Sequence, residues 1–378
     1  MSQPVIFTRE PVVNKKRAIT ANRLVAHGPN IGAVVASLNE VRDVWPKRYP
    51  VFISLARLVP TVELLDWQVA DNAMIEIPTQ ALGRPQTLEL LPMLRDGGIS
   101  TCLSWFKPGT ELPLDADWRF VLMDARKLQI PAGSPGIPLA WGLDSVDAFQ
   151  RAVGNGYEGA SGWFFLHGDP DPKALSPGHA QLVRLISLVR SDADISEIEA
   201  LLKQDVAISY KLLRYINSAG FGLMCEIQSF RHAVTILGYG NLNKWLSLLL
   251  VTASRDPAAQ AMMQTSIARG RFMEQLGAAF FPKSEIDNLF ITGAFSLLPN
   301  LLGTSMQVVL DEMSLPASVV DALLHEEGEF SAFLKLAKAA ESFDPGVLLR
   351  QAEGLQLDPA QVNRALLASL SFADSLQV

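Results

Sequence analysis

The strongest constraint on this chain is a break in its patterning at residues 168–178. The stretch Gly168-Asp-Pro-Asp-Pro-Lys-Ala-Leu-Ser-Pro-Gly178 holds three prolines and two glycines in eleven residues and has no apolar period. Such a stretch continues neither a helix nor a strand. Before it, short apolar runs recur at 5–7, 18–25, 51–55, 73–77, 100–103, 120–123, 137–141 and 159–166; after it, such runs all but stop. Six of the seven tryptophans precede the break. With 378 residues, too many for one ordinary core, the chain is expected to form two domains, 1–168 and 179–378, joined by a linker at 169–178.

In the first half, helical patterns at 31–44 and 87–94 lie between the apolar runs, the second ending at Gly97-Gly98 as a helix C-terminus should. Strands alternating with helices predict βα units, and eight runs predict a barrel. Pro131, Gly133, Pro135, Gly136 and Pro138 forbid a crossover helix over most of 124–138. The segment is also short against the ~250 residues of a full (βα) barrel. The expectation is therefore an α/β domain, a trimmed TIM-like barrel lacking at least one outer helix. In the second half Leu182, Leu185, Ile186 and Val189 share one helix face. Asp194 with Glu197 forms a capping pair for a helix over 195–202. Further amphipathic stretches at 206–217, 230–237, 242–252, 260–280 and 286–297, with turns at Gly220-Phe-Gly222, Gly238-Tyr-Gly240 and Pro282, predict an all-α bundle.

Charge narrows the function classes. The net charge is −7, and neither half is basic, so the footprint of a nucleic-acid binder is missing. The one basic cluster, Arg9, Lys15, Lys16, Arg17 and Arg23, is centred on a predicted hairpin turn and is expected to be solvated. The stretch 289–310 has no charged residue but contains Pro299, Asn300 and two glycines; two buried helices joined at Pro299-Asn300 are expected rather than a membrane span. Two cysteines, Cys102 and Cys225, and a first segment without a basic-then-apolar leader point to the cytoplasm.

The second half resembles the HDOD domain, a non-catalytic relative of the HD metal-dependent phosphohydrolases. The resemblance is carried by Asp205-Val206, by Lys211-Leu-Leu-Arg-Tyr-Ile-Asn-Ser-Ala-Gly-Phe-Gly222, and by Ser229-Phe-Arg-His-Ala-Val-Thr-Ile-Leu-Gly238. In Phe290-Ile-Thr-Gly-Ala-Phe-Ser-Leu-Leu-Pro299, Ser296 and Leu297 stand where an HD hydrolase has its His-Asp dyad. None of the five histidines, His27, His167, His179, His232 and His325, is followed by Asp. His232 is expected to be structural, and His325, beside two glutamates, to sit at a solvated helix end.

The first half is similar, more weakly, to the EAL domain, the barrel that hydrolyses cyclic di-GMP. Glu10-Pro-Val-Val13 looks like its opening strand, and Ala21-Asn-Arg-Leu-Val-Ala26 falls where the Glu-Ala-Leu signature belongs. The resemblance implies that Asn22 replaces a metal-binding Glu and Ala26 a phosphate-binding Arg, and that Ser54 replaces a metal-binding Asn. Ser104-Trp105 would replace paired aspartates, Leu122 the catalytic Lys and Trp141 another Glu, while Glu76 and Asp124 are kept. Trp105 and Trp141 would put apolar bulk where a two-metal site needs charge, which reads as a site converted to core.

The expectation is thus a degenerate EAL domain followed by an HDOD domain, in a signalling adaptor that is not an enzyme and needs no cofactor or metal. Its partners would be other signalling proteins or a second copy of the chain, with no nucleic acid and no membrane. The alternative is a receptor that binds cyclic di-GMP or guanosine tetraphosphate without hydrolysing it.

Overall fold

The structure, a computed structural model, describes residues 4–107, 109–113, 117–126, 134–166, 177–202, 230–252, 259–311, 313 and 315–376. The block 205–229, with the helix expected over 206–217 and the turn Gly220–Gly222, lies outside the described residues. So do His167, Cys225, Pro131, Gly133 and most of the expected linker.

Eight strands close in sequence order into a barrel: β1 (Ile6–Asn14), β2 (Ile19–His27), β3 (Val51–Ser54), β4 (Ala73–Pro78), β5 (Ser100–Ser104), β6 (Phe120–Asp124), β7 (Ile137–Trp141) and β8 (Gly159–Ser161). Successive pairs from β2 to β8 are parallel, whereas β1 runs antiparallel to both β2 and β8. The β1–β2 connection explains this. It is too short for a crossover, and Asn14 closes it by accepting from the Lys16 and Ala18 amides, with Arg17 at φ 60°.

The barrel is trimmed, but between β3 and β4; much of 124–138, where the missing helix was expected, lies outside the described residues. Helices α1 (Ile31–Glu40), α2 (Pro85–Asp96) and α3 (Val146–Gly154) follow β2, β4 and β7. Between β3 and β4 the 3₁₀ turn Val62–Asp66 stands where an outer helix would be. Val12, Ala21, Phe52, Met74, Cys102, Leu122 and Leu139 fill the barrel with one apolar layer. Because side chains alternate along a strand, the next inward layer comes two residues on, and it is the layer at the carboxyl ends of the parallel strands.

The chain divides into two units, residues 1–168 with 338–371, and residues 169–337 with 372–378. A single helical domain over 179–378 is therefore corrected: 338–371 belongs with the barrel. The reason is visible at β1. The carbonyl of Val5, just before the strand, and the Phe7 amide point to the same edge, beyond the three-residue pairing with β8. The side chain of Asn363, in helix Pro359–Ser375, accepts from the Phe7 amide (2.8 Å) and donates to the Val5 carbonyl (3.0 Å). Arg364 adds a fork of hydrogen bonds to Asp43.

The second unit is helical. Gly238, at φ 73° and ψ 168°, breaks the long segment Phe230–Val251, as the Gly238-Tyr-Gly240 signal predicts. Helices Gln260–Gly277 and Lys283–Phe295 cross at glycines, where a Cβ on Gly293 would lie 2.7 Å from the Gly270 Cα. The uncharged stretch breaks at Ser296–Leu297, not at Pro299-Asn300; Pro299 instead sits in the first turn of Leu298–Leu302, where proline is tolerated. No helix among the described residues is long and apolar enough to cross a membrane.

Candidate functional site

The layer above the apolar one is polar. On β2 the inward residue is Arg23, two positions after Ala21. Its Nη1 donates to Glu10 Oε2 (2.6 Å), and its Nε and Nη2 donate to Glu76 Oε1 (2.5 Å) and Oε2 (2.8 Å). All three side chains are buried. Ser161 Oγ donates to Glu10 Oε2 at 3.3 Å, while Glu10 Oε1 is buried with no hydrogen-bond partner among the described residues. Burial pushes the Glu10 carboxyl above its ordinary pKa, against the opposing pull of Arg23. Burial also acts to lower the Arg23 pKa, but Glu76 and then Glu10 outweigh it and leave the guanidinium firmly charged.

The basic cluster is therefore not one solvated group. Arg9 (3 % exposed) and Arg23 (5 % exposed) are buried, because they lie within β1 and β2 rather than on the turn between them. Arg9 donates to Asn22 Oδ1 at 3.2 Å. Asn22 thus faces away from Glu76, and the residue of β2 that meets Glu76 is Arg23. The position that the Glu-Ala-Leu comparison gave to Asn22 does not face the barrel interior, where Arg23 stands instead.

Ser54 ends β3, with Ala26 buried on neighbouring β2. Ser104 ends β5, and its buried Oγ finds no partner among the described residues. Leu122 belongs to the apolar layer below, not to the rim. Asp124 accepts from Arg126 Nε and Nη2, both at 2.9 Å. Trp105, at φ 58°, is 39 % exposed, so it is not core as expected; a bulky side chain at the end of β5 has turned outward. Its ring meets Trp141 edge-on with centroids 4.5 Å apart, and Trp141 meets Phe343 at 6.1 Å. Arg126 lies over Trp141 at 5.4 Å. Beneath this cluster, Arg23, Ser104, Trp105, Asp124 and Trp141 line a cavity of about 10 Å³, room for about one water.

A divalent cation, which the EAL resemblance implies for this rim, does not fit the residues present. Such an ion needs several free oxygen ligands, yet both Glu76 oxygens accept from Arg23 and both Asp124 oxygens from Arg126. Among the described residues no group of three or more His, Cys, Asp or Glu side chains could hold a metal.

In the second unit Ser296 Oγ donates to the Gly293 carbonyl (2.7 Å) and accepts from Arg269 Nη1 (3.0 Å), and Leu297 is buried. Two buried arginines, Arg23 and Arg269, are the residues the sequence reading missed. The alternation from Ala21 to Arg23 was the available signal for the first; nothing comparable marks the second. His232 is half-buried on its helix, and His325 is exposed in the π-helical turn Asp321–His325.

Residues 177–340 match the model of the HDOD domain. The chain is 29 % identical over 208 residues to the cyclic di-GMP phosphodiesterase CdgJ of Vibrio cholerae, covering 54 % of this chain and 48 % of that protein. It is 24 % identical over 265 residues to the uncharacterized protein YuxH of Bacillus subtilis, covering 67 % and 63 %. The chain thus spans less than two thirds of the length of these relatives. Among solved structures it is similar to the calcium and cyclic di-GMP complex of Klebsiella pneumoniae BlrP1, at 15 % identity and TM-score 0.32, over 43 % of this chain and 55 % of that one. The EAL domain of Mycobacterium smegmatis DcpA matches at 13 % and TM-score 0.32, over 42 % and 90 %.

The expectation that this chain is no enzyme is corrected by the first of these relatives, which carries a phosphodiesterase name. That expectation rested on the side chains of the barrel rim and on the missing His-Asp dyad of the second half, and ligand loss at a site does not measure turnover by a chain.

Proposed function

We propose that this chain is a cytoplasmic protein of cyclic di-GMP signalling that works by docking other signalling proteins, with the aromatic rim of its barrel as the docking face. The signalling context is supported by the match to CdgJ and by the HDOD domain at 177–340. One observation carries the docking role. Trp105 (39 % exposed), Trp141 and Phe343 (57 % exposed) form a continuous aromatic run beside Arg126. Trp and Arg dominate the energetics of protein interfaces, and large aromatic side chains are seldom left together in water without a partner.

The test is affinity capture from the native host by the full-length chain, wild type against Trp105→Ala and Phe343→Ala, with quantification by mass spectrometry. At least one captured protein, or the chain itself, should fall about tenfold or more with both variants, the loss of a single ~1.4 kcal/mol anchor. Undiminished capture by both variants contradicts the docking role. Micromolar binding of cyclic di-GMP that Trp105→Ala abolishes would replace it with nucleotide reception at the same rim. Exposed indoles beside a guanidinium can stack a purine and pair with phosphate.

A further inference from the structure

The misfit between this rim and a divalent cation has an identifiable cause. Glu10 and Glu76 project from β1 and β4 to one point inside the barrel, and both are at most 2 % exposed. Two carboxylates buried together must be neutralised by protons, by a metal or by a basic group. Here the basic group is Arg23, which reaches both acids from β2 with three hydrogen bonds of 2.5–2.8 Å. The neutralisation is incomplete, since one guanidinium serves two carboxylates. Glu10 Oε1 correspondingly lies buried without a hydrogen-bond partner among the described residues. Ser161 Oγ, 3.3 Å from Glu10 Oε2, is a further oxygen at the same point.

We propose that the Arg23 guanidinium takes the place of a bound cation, and that Glu10, Glu76 and Ser161 form a latent divalent-cation site which this side chain keeps closed. The oxygen-only donor set suits a hard ion such as Ca²⁺, Mg²⁺ or Mn²⁺. A guanidinium is permanently charged and fixes the two carboxylates in a planar fork. The guanidinium therefore offsets part of the buried negative charge whatever the ion supply. An ion could enter only by displacing side-chain hydrogen bonds that are already made.

The experiment is thermal unfolding of the full-length chain with and without CaCl₂ or MnCl₂, in the wild type and in Arg23→Gln. The wild type should shift by less than about 1 °C. Arg23→Gln should start lower and gain about 5–10 °C at a hundredfold excess of ion over its dissociation constant, and EDTA should reverse the gain. The double variant Arg23→Gln, Glu76→Gln should lose that response. If Arg23→Gln does not fold without metal, recovery of its fold on dialysis into CaCl₂ is the equivalent readout. An equal shift in wild type and variant overturns the proposal, as does failure of the ions either to stabilise Arg23→Gln or to restore its fold.

Discussion

His27 ends β2 half-buried, with its Nε2 3.1 Å from Thr8 Oγ1. Burial, then the charges of Arg23 and Arg57, against the opposing pull of Asp344, lower its pKa from 6.5 to about 4. The folded state therefore binds a proton less readily than the unfolded one. The stability this provides is complete above about pH 6.5 and is lost as pH falls towards 4. It amounts to at most about 3 kcal/mol. Unfolding midpoints of wild type and His27→Gln should differ in slope over that window and run parallel above pH 7; parallel curves throughout would reject the assignment. Arg23 was hard to read from sequence. A basic residue beside three turn cations reads as solvated until the strand's alternation is traced back to Ala21, which puts Arg23 and not Asn22 on the inward face. Trp105 misleads differently. Its bulk predicts burial, but the backbone at φ 58° turns it outward, and a positive φ at a non-glycine residue has no signature in composition.

At the scale of elements, the eight strands were legible because alternation and turn residues are local signals. The antiparallel β1 follows from a turn too short for a crossover. The attachment of 338–371 to the barrel was not legible, because it depends on Asn363 meeting a strand edge more than 350 positions away. That amide supplies both a donor and an acceptor to β1, so Asn363→Ala should orphan the Phe7 N–H and the Val5 C=O. Each orphaned buried group destabilises by about 1–3 kcal/mol. Hydrogen exchange at the Phe7 amide should accelerate about tenfold or more. An unchanged rate would mean that the edge is satisfied some other way.

At the scale of the whole chain, two patterns separated by a Pro/Gly-rich break sufficed to predict a barrel half and a helical half, and residues 177–340 match the model of the HDOD domain. Function was less legible, because it depends on which side chains share the barrel's rim and on the register of every strand. The rim combines a closed ion cluster, Glu10–Arg23–Glu76, with an exposed aromatic run, Trp105–Trp141–Phe343. Docking by the second is compatible with a rigid support beneath it, which the first supplies. The most direct measurement is anomalous diffraction at the manganese edge from crystals of the full-length chain soaked in MnCl₂. The account predicts no anomalous peak within coordination distance of Glu10 or Glu76, and Arg23 density still bridging the two carboxylates. A manganese ion bound to Glu76 with Arg23 swung aside would contradict it.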